Sequence, residues 1–219
     1  MKEPADQPRI GDAFGQILIR CWEAGAVPGA AFEVVERDDG YLEAHDANGY
    51  FAELVDWSSV ERWGCEATVG RVLDIGCGAG RHAVELQSTG TDITGVDPSP
   101  GAVRVARERG IPVIAGTIAD VPPDGGPFDT FLAMGNNLGL IGPGEAGRRF
   151  LTDLAALAAP GALLIGSGID PYGTTTPEHL AYHQRNRERD RLPGHVRIRV
   201  RHRAVASSWF DYVLRSPEE

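Results

Sequence analysis

An α/β fold with a doubly wound, mostly parallel sheet is the architecture this sequence predicts, on three observations. Within Arg71–Arg81, RVLDIGCGAGR, an apolar run of Val72, Leu73 and Ile75, broken by Asp74, leads directly into Gly76, Gly78 and Gly80. That pattern is a buried parallel strand entering a glycine loop at a helix N-terminus, where backbone N–H groups come close to a polar ligand. From Arg71 to Gly166, strand-like and helix-like runs alternate with short connections, which implies a parallel sheet with helices on both faces. Gly95-Val96-Asp97 then ends the next strand with an acid about 20 residues past the loop, at the carboxyl ends of the strands where such folds bind ligands.

The chain has 219 residues, enough for one large domain or one domain with an appendage. A formal net charge of −10 argues against general nucleic-acid binding, which needs phosphate-neutralising surface. Cys21, Cys65 and Cys77 are an odd, scattered set without metal-ligand spacing, which fits a reducing, cytoplasmic compartment. MKEPADQPR lacks an apolar signal core, and the most apolar stretch, residues 151–169, is broken by Pro160-Gly161, so no membrane span is expected.

Taken in order, Ile10, Phe14, Ile17, Leu18, Cys21 and Trp22 recur at helical spacing and stop at Gly25. Residues 31–36 and 41–44 flank Asp38-Asp39-Gly40, a hairpin signal. A helical stretch is expected from Ala47 through Tyr50, Phe51, Leu54 and Val55, then a short helix capped by Asp56 or Ser58. Residues 1–66 therefore read as a mostly helical lid with one hairpin, continuous with a core at 67–219 and not an independent unit. In the core the expected strands are 72–75, 92–96, 113–115, 130–134 and 162–166, with helices at 81–88, 100–109 and 145–158. Ser99, Pro100 and Gly110 punctuate the second of these helices as cap, first residue and terminal glycine. Phe150, Leu151, Leu154 and Leu157 share one face of the third.

Past Gly166 the alternation ends. Residues 177–191 suit a polar helix. Residues 196–203 alternate strictly, with Val196, Ile198 and Val200 on one face and Arg197, Arg199, Arg201 and Arg203 on the other. With a second strand over 209–214, this predicts a C-terminal antiparallel hairpin. The hairpin either completes the sheet, or the closing SPEE marks a chain whose last strands are missing. Trp209 and Phe210 on it would suit a homodimer contact.

A dinucleotide loop wants G-x-G-x-x-G; here the spacing is G-x-G-x-G behind an acid. Asp74 and Asp97 make a poor pyrophosphate cradle and suit a ligand with a cationic amino group or sulfonium. Together, D-I-G-C-G-A-G and G-V-D-P-S resemble the first two motifs of the class I S-adenosylmethionine-dependent methyltransferases, a Rossmann-like family, over roughly residues 70–166. The resemblance implies a seven-stranded mixed sheet of order 3-2-1-4-5-7-6. It also implies a cofactor site of Asp74, Gly76 and Gly78 at the amino-acid moiety, Asp97 and Pro98 at the ribose, and Thr117 and Ile118 at the adenine. The family often has an acid at the position of Thr117, and Asp120 is a substitute.

Ala133–Leu138 is similar to the L-G-N-S segment of small-molecule N-methyltransferases of the glycine-methylating type. That implies Met134 and Gly135 at the methionine part and Asn136 or Asn137 facing the substrate, with Tyr50 and Phe51 in the closing lid. The implied activity is methyl transfer from S-adenosylmethionine to a small-molecule N, O or C acceptor, with no metal. Bland readings stand beside these: Asp74 as a loop brace, the two asparagines as turn formers, Arg81 and the arginine row as solvated faces. None of the six histidines has the spacing of a general base. The rival functions are a non-catalytic S-adenosylmethionine-binding module and, on weaker ground, a nicotinamide-dependent reductase.

Overall fold

The computed structural model describes residues 8–219. The first seven residues of the leading stretch lie outside that range. After β1 (Arg9–Ile10), Asp12 caps α1 (Ala13–Glu23) by accepting from the Gly15 amide at 2.9 Å. The hairpin signal is realised as β2 (Phe32–Arg37) and β3 (Leu42–Asp46), paired antiparallel. The stretch from Ala47 is not an α-helix. It forms two short 3-10 turns, Ala47–Phe51 and Leu54–Asp56, because Asn48-Gly49 opposes helix propagation. Ser58, rather than Asp56, caps α2 (Ser59–Glu66) through a reciprocal box with Glu61.

The core follows as β4 (Val72–Ile75), α3 (Arg81–Ser88), β5 (Ile93–Asp97), α4 (Pro100–Glu108), β6 (Val113–Ala115), β7 (Phe128–Ala133), α5 (Gly144–Ala156) and β8 (Ala158–Gly166). The strands make an all-parallel sheet of order β6-β5-β4-β7-β8. Successive β4 residues point to opposite faces: Val72 joins a cluster with Leu86, Val103 and Trp57, while Leu73 and Ile75 join Val121, Phe131 and Leu157. Helices thus cover both faces. Phe150, Leu154 and Leu157 pack onto the second, but Leu151 is 45% exposed, so the expected α5 stripe is narrower than its sequence.

After α6 (Pro177–Arg187), β9 (His195–His202), β10 (Val205–Ala206) and β11 (Phe210–Val213) close the chain. Here the expected topology needs correction. The first five places of the 3-2-1-4-5-7-6 order are present, but the C-terminal strands do not fill the last two. Instead β9 pairs antiparallel with β2 of the N-terminal hairpin and with β11, in a separate mixed sheet β1-β10-β9-β2-β3. The reason lies in β9 itself. Two of its arginines share one carboxylate on β2: Arg199 Nε sits 2.8 Å from Glu36 and Arg201 Nη1 3.3 Å. Part of the row read as solvated is therefore a paired seam. Trp209 packs under the Arg199 guanidinium, 4.5 Å from its ring centre, so one aromatic of the expected dimer surface is engaged within the chain.

α1 joins the two sheets. A Cβ at Gly101 of α4 would lie 2.5 Å from Gly15 Cα, so the α1–α4 contact requires two glycines. Asp12 serves both helix ends, accepting from the Gly101 amide and the Ser99 hydroxyl, each at 2.8 Å.

Candidate functional site

Between the two sheets lies a cavity of about 1690 Å³, at the carboxyl ends of β4, β5 and β7. Such a volume exceeds the 300–1,000 Å³ of a typical single-ligand pocket, leaving room for two reactants. Its floor is the glycine loop. Gly76, Gly78 and Gly80 have φ of +67°, +54° and +72°, the left-handed region that β-carbons resist. A Cβ at Gly95 would lie 2.6 Å from Cys77 Sγ, so the glycine on β5 leaves the space that the loop's buried cysteine packs into.

Asp97 clamps this loop. Its Oδ2 accepts from the Gly78 amide at 2.9 Å and its Oδ1 from the Ser99 amide at 2.8 Å. Each oxygen keeps a lone pair for a further donor. Burial, opposed by those two amides, pushes the Asp97 carboxyl up to about 6. Asp74 is 2% exposed, and its Oδ2 has no hydrogen-bond partner among the described residues. Burial and the neighbouring Asp97 push it up to about 7. A buried carboxyl oxygen without a donor is costly.

Asp74, Gly76, Gly78, Asp97, Pro98, Thr117, Ile118, Met134, Gly135, Tyr50, Asn136 and Asn137 all line the one cavity. The tertiary structure gives two of them an additional structural task. Asn137 Nδ2 donates to the carbonyls of Ile75 and Gly76, at 2.9 and 3.0 Å, and so ties the loop after β7 to the glycine loop. Asn136, with φ +71°, donates its amide to Ser167 Oγ at 3.1 Å, and its carbonyl accepts from the Tyr212 hydroxyl. Asp120, considered for the adenine, is turned back to accept from the Thr117 amide and hydroxyl at 2.8 and 2.9 Å.

Arg81 is not a solvated helix residue. It donates to the Gly49 carbonyl at 3.0 Å and pairs with Glu61. Next to it, burial and the Arg81 charge lower His82 to about 4, so it is neutral near pH 7. Sequence reasoning missed the opposite wall. Glu33 and Val35 of β2, Tyr212 of β11 and His183 of α6 also line the cavity. The one signal for it was the apolar face of β9, whose Val196, Ile198 and Val200 face the cavity.

Residues 72–161 match the family described as a methyltransferase domain. A solved S-adenosylmethionine-dependent methyltransferase from Bacteroides fragilis superposes with a TM-score of 0.76 at 21% identity, over 97% of this chain and 82% of its own. One from Methanosarcina mazei superposes with a TM-score of 0.56 at 16% identity, over 74% of this chain and 80% of its own. At those identities the likeness is one of fold. Among curated relatives, a ubiquinone biosynthesis O-methyltransferase of Azorhizobium caulinodans is 41% identical over 70 residues, 29% of this chain and 28% of the relative. A magnesium-protoporphyrin O-methyltransferase of Rhodobacter capsulatus is 38% identical over 69 residues, 29% of this chain and 31% of the relative. The match thus spans less than a third of either relative's length. Residues 72–161 thus match a methyltransferase domain, and the chain shares the fold of the solved S-adenosylmethionine-dependent methyltransferases.

Proposed function

We propose that the chain transfers a methyl group from S-adenosylmethionine to a small-molecule acceptor. One observation supports this most: a donorless buried carboxyl, Asp74, stands beside a loop-clamping carboxyl, Asp97, on the floor of a cavity large enough for two reactants. S-adenosylmethionine fits the residues present, because it brings an ammonium for Asp74 and a ribose diol for the free lone pairs of Asp97. Thr117 and Ile118 would flank the adenine, with Met134 and Gly135 at the methionine chain. Pro98 would border the ribose, and Tyr50 would close the site from the second sheet.

When bound, the cofactor supplies a methyl already activated on a sulfonium. The protein's share is then to hold the acceptor in line with that methyl and to exclude water. The second sheet, which supplies the far wall of the cavity, would serve both. Asn136 and Asn137 would face the acceptor, Asn137 through its side-chain oxygen, since its Nδ2 is spent on the glycine loop. Three buried free cysteines suit a reducing, cytoplasmic setting. No helix of the described residues is long and apolar enough to cross a membrane.

Calorimetry with S-adenosylhomocysteine and with NADH tests the reading: the first is expected to bind and the second not. Asp97→Ala is expected to weaken S-adenosylhomocysteine by about 1–3 kcal/mol, through hydrogen bonds lost to two hydroxyls. Unchanged affinity in that variant overturns the ribose assignment. NADH binding without S-adenosylhomocysteine binding overturns the function.

A further inference from the structure

Eight carboxylate side chains line the cavity against two guanidiniums. Both guanidiniums are already paired, Arg37 with Asp39 at 2.8 Å and Arg81 with Glu61. Most of the acids are spent as well. Asp12 holds two helix ends, Asp46 accepts from the Gly29 and Asn48 amides, Asp170 from Tyr172, and Asp211 lies 2.9 Å from His195. With Asp74 and Asp97 assigned to the cofactor, two remain: Glu43, exposed and 3.7 Å from His45, and one buried acid.

That acid is Glu33, on β2 in the wall facing the glycine loop. It is 7% exposed, and its Oε2 accepts from the Tyr50 hydroxyl at 2.7 Å. Its Oε1 is not a sealed-off orphan like Asp74 Oδ2; it belongs to a side chain that lines the cavity. The Tyr50 ring stands edge-on to Phe14 at 5.2 Å, and a Cβ at Gly78 would lie 3.7 Å from Phe14, so Glu33 and the glycine loop are joined through two edge-to-face rings. Tyr212, whose hydroxyl is raised by burial and by the nearby Glu33 charge, anchors to the Asn136 carbonyl. Burial holds the Glu33 carboxyl above its ordinary range, with the Tyr50 bond opposing. A buried carboxylate with one free oxygen, in an aromatic wall and an acid-rich cavity, is complementary to a cation.

Resting on the methyltransferase reading, we propose that the acceptor is an amine that enters as its ammonium and is held by Glu33, between Tyr50 and Tyr212. The ammonium gives one proton to the Glu33 carboxylate, which frees the nitrogen lone pair. That pair forms the new N–CH3 bond while the S–CH3 bond breaks onto sulfur. Nitrogen takes over the positive charge and the sulfonium becomes a neutral thioether.

The test uses the chain saturated with S-adenosylhomocysteine and three matched probes at neutral pH: benzylamine, benzyl alcohol and benzoate. Benzylamine is expected to bind about tenfold or more tighter than either of the others, the scale of one charge-assisted hydrogen bond. Glu33→Gln is expected to erase that preference while S-adenosylhomocysteine still binds. A 13C spectrum of the glutamate-labelled wild-type chain gives a readout that needs no variant: one buried carboxyl resonance must move with benzylamine and stay still with benzyl alcohol. Equal or reversed probe affinities, a preference that survives Glu33→Gln, or an unmoved carboxyl overturns the proposal and leaves the cofactor reading intact. Failure of S-adenosylhomocysteine to bind overturns both.

Discussion

Asp74 and Asp97 carry an electrostatic tension that is readable as a pH effect. Both carboxyls sit above the ordinary 3.8, at about 7 and about 6. In the ligand-free chain they therefore bind more protons folded than unfolded. Their contribution to stability is complete below about pH 4 and is lost as pH rises through about 6 and then about 7. A ligand ammonium favours the ionised forms. S-adenosylhomocysteine affinity is thus expected to rise from pH 5.5 to 8, with proton release at the acid end that fades at the alkaline end. Calorimetry in two buffers of unlike ionisation enthalpy measures both. His82, lowered to about 4, has the opposite slope: its neutral form is lost, and stability with it, as pH falls from about 6.5 toward 4. The glycines and Asp97 were legible in sequence because their spacing is local. Glu33 was not, because an acid within Phe32–Arg37 looks like any solvated strand residue until β9 and Tyr50 cover it.

At the scale of elements, boundaries with local chemistry were readable. Ser99 caps α4 with Pro100 at its first position, as the sequence suggests. Ser58 and Glu61 form a reciprocal box on α2, bonding at 3.0 and 3.2 Å. Ser58→Ala is expected to cost about 1 kcal/mol of stability, seen as a lower urea midpoint at unchanged slope. The box does more than start a helix, because Glu61 also holds Arg81 at the head of α3. The sequence from Ala47 predicts a helix because Tyr50, Phe51, Leu54 and Val55 recur at helical spacing, but two 3-10 turns form there. Periodicity reports which side chains share a face, and one tight turn satisfies it as well as a longer helix.

Across the whole molecule, Tyr212 against the loop after β7 ties the second sheet to the first over the cavity. A Cβ at Gly139 would run into the Tyr212 ring. Gly139→Ala is accordingly expected to push β11 away from the Asn136 carbonyl and cost about 1–3 kcal/mol by overpacking. Weaker S-adenosylhomocysteine binding by calorimetry, alongside a lower thermal midpoint, checks this. Elsewhere the parallel sheet ends at β8, whose Leu163 and Leu164 are 44% and 39% exposed. An apolar edge of that kind is where the expected sixth and seventh strands would have paired.

What the residues determined by themselves was the parallel core. The glycine loop, the acid closing β5 and the strand–helix alternation each depend on neighbours within a few positions or on one short crossover. What only the tertiary structure decided was the partnership of the two chain ends. Alternation along β9 says which face is apolar but not which strand it pairs with, since pairing joins residues more than 150 positions apart, such as Val35 and Val200. That pairing carries Glu33 over the glycine loop and turns two unremarkable hairpins into the second wall of the cavity.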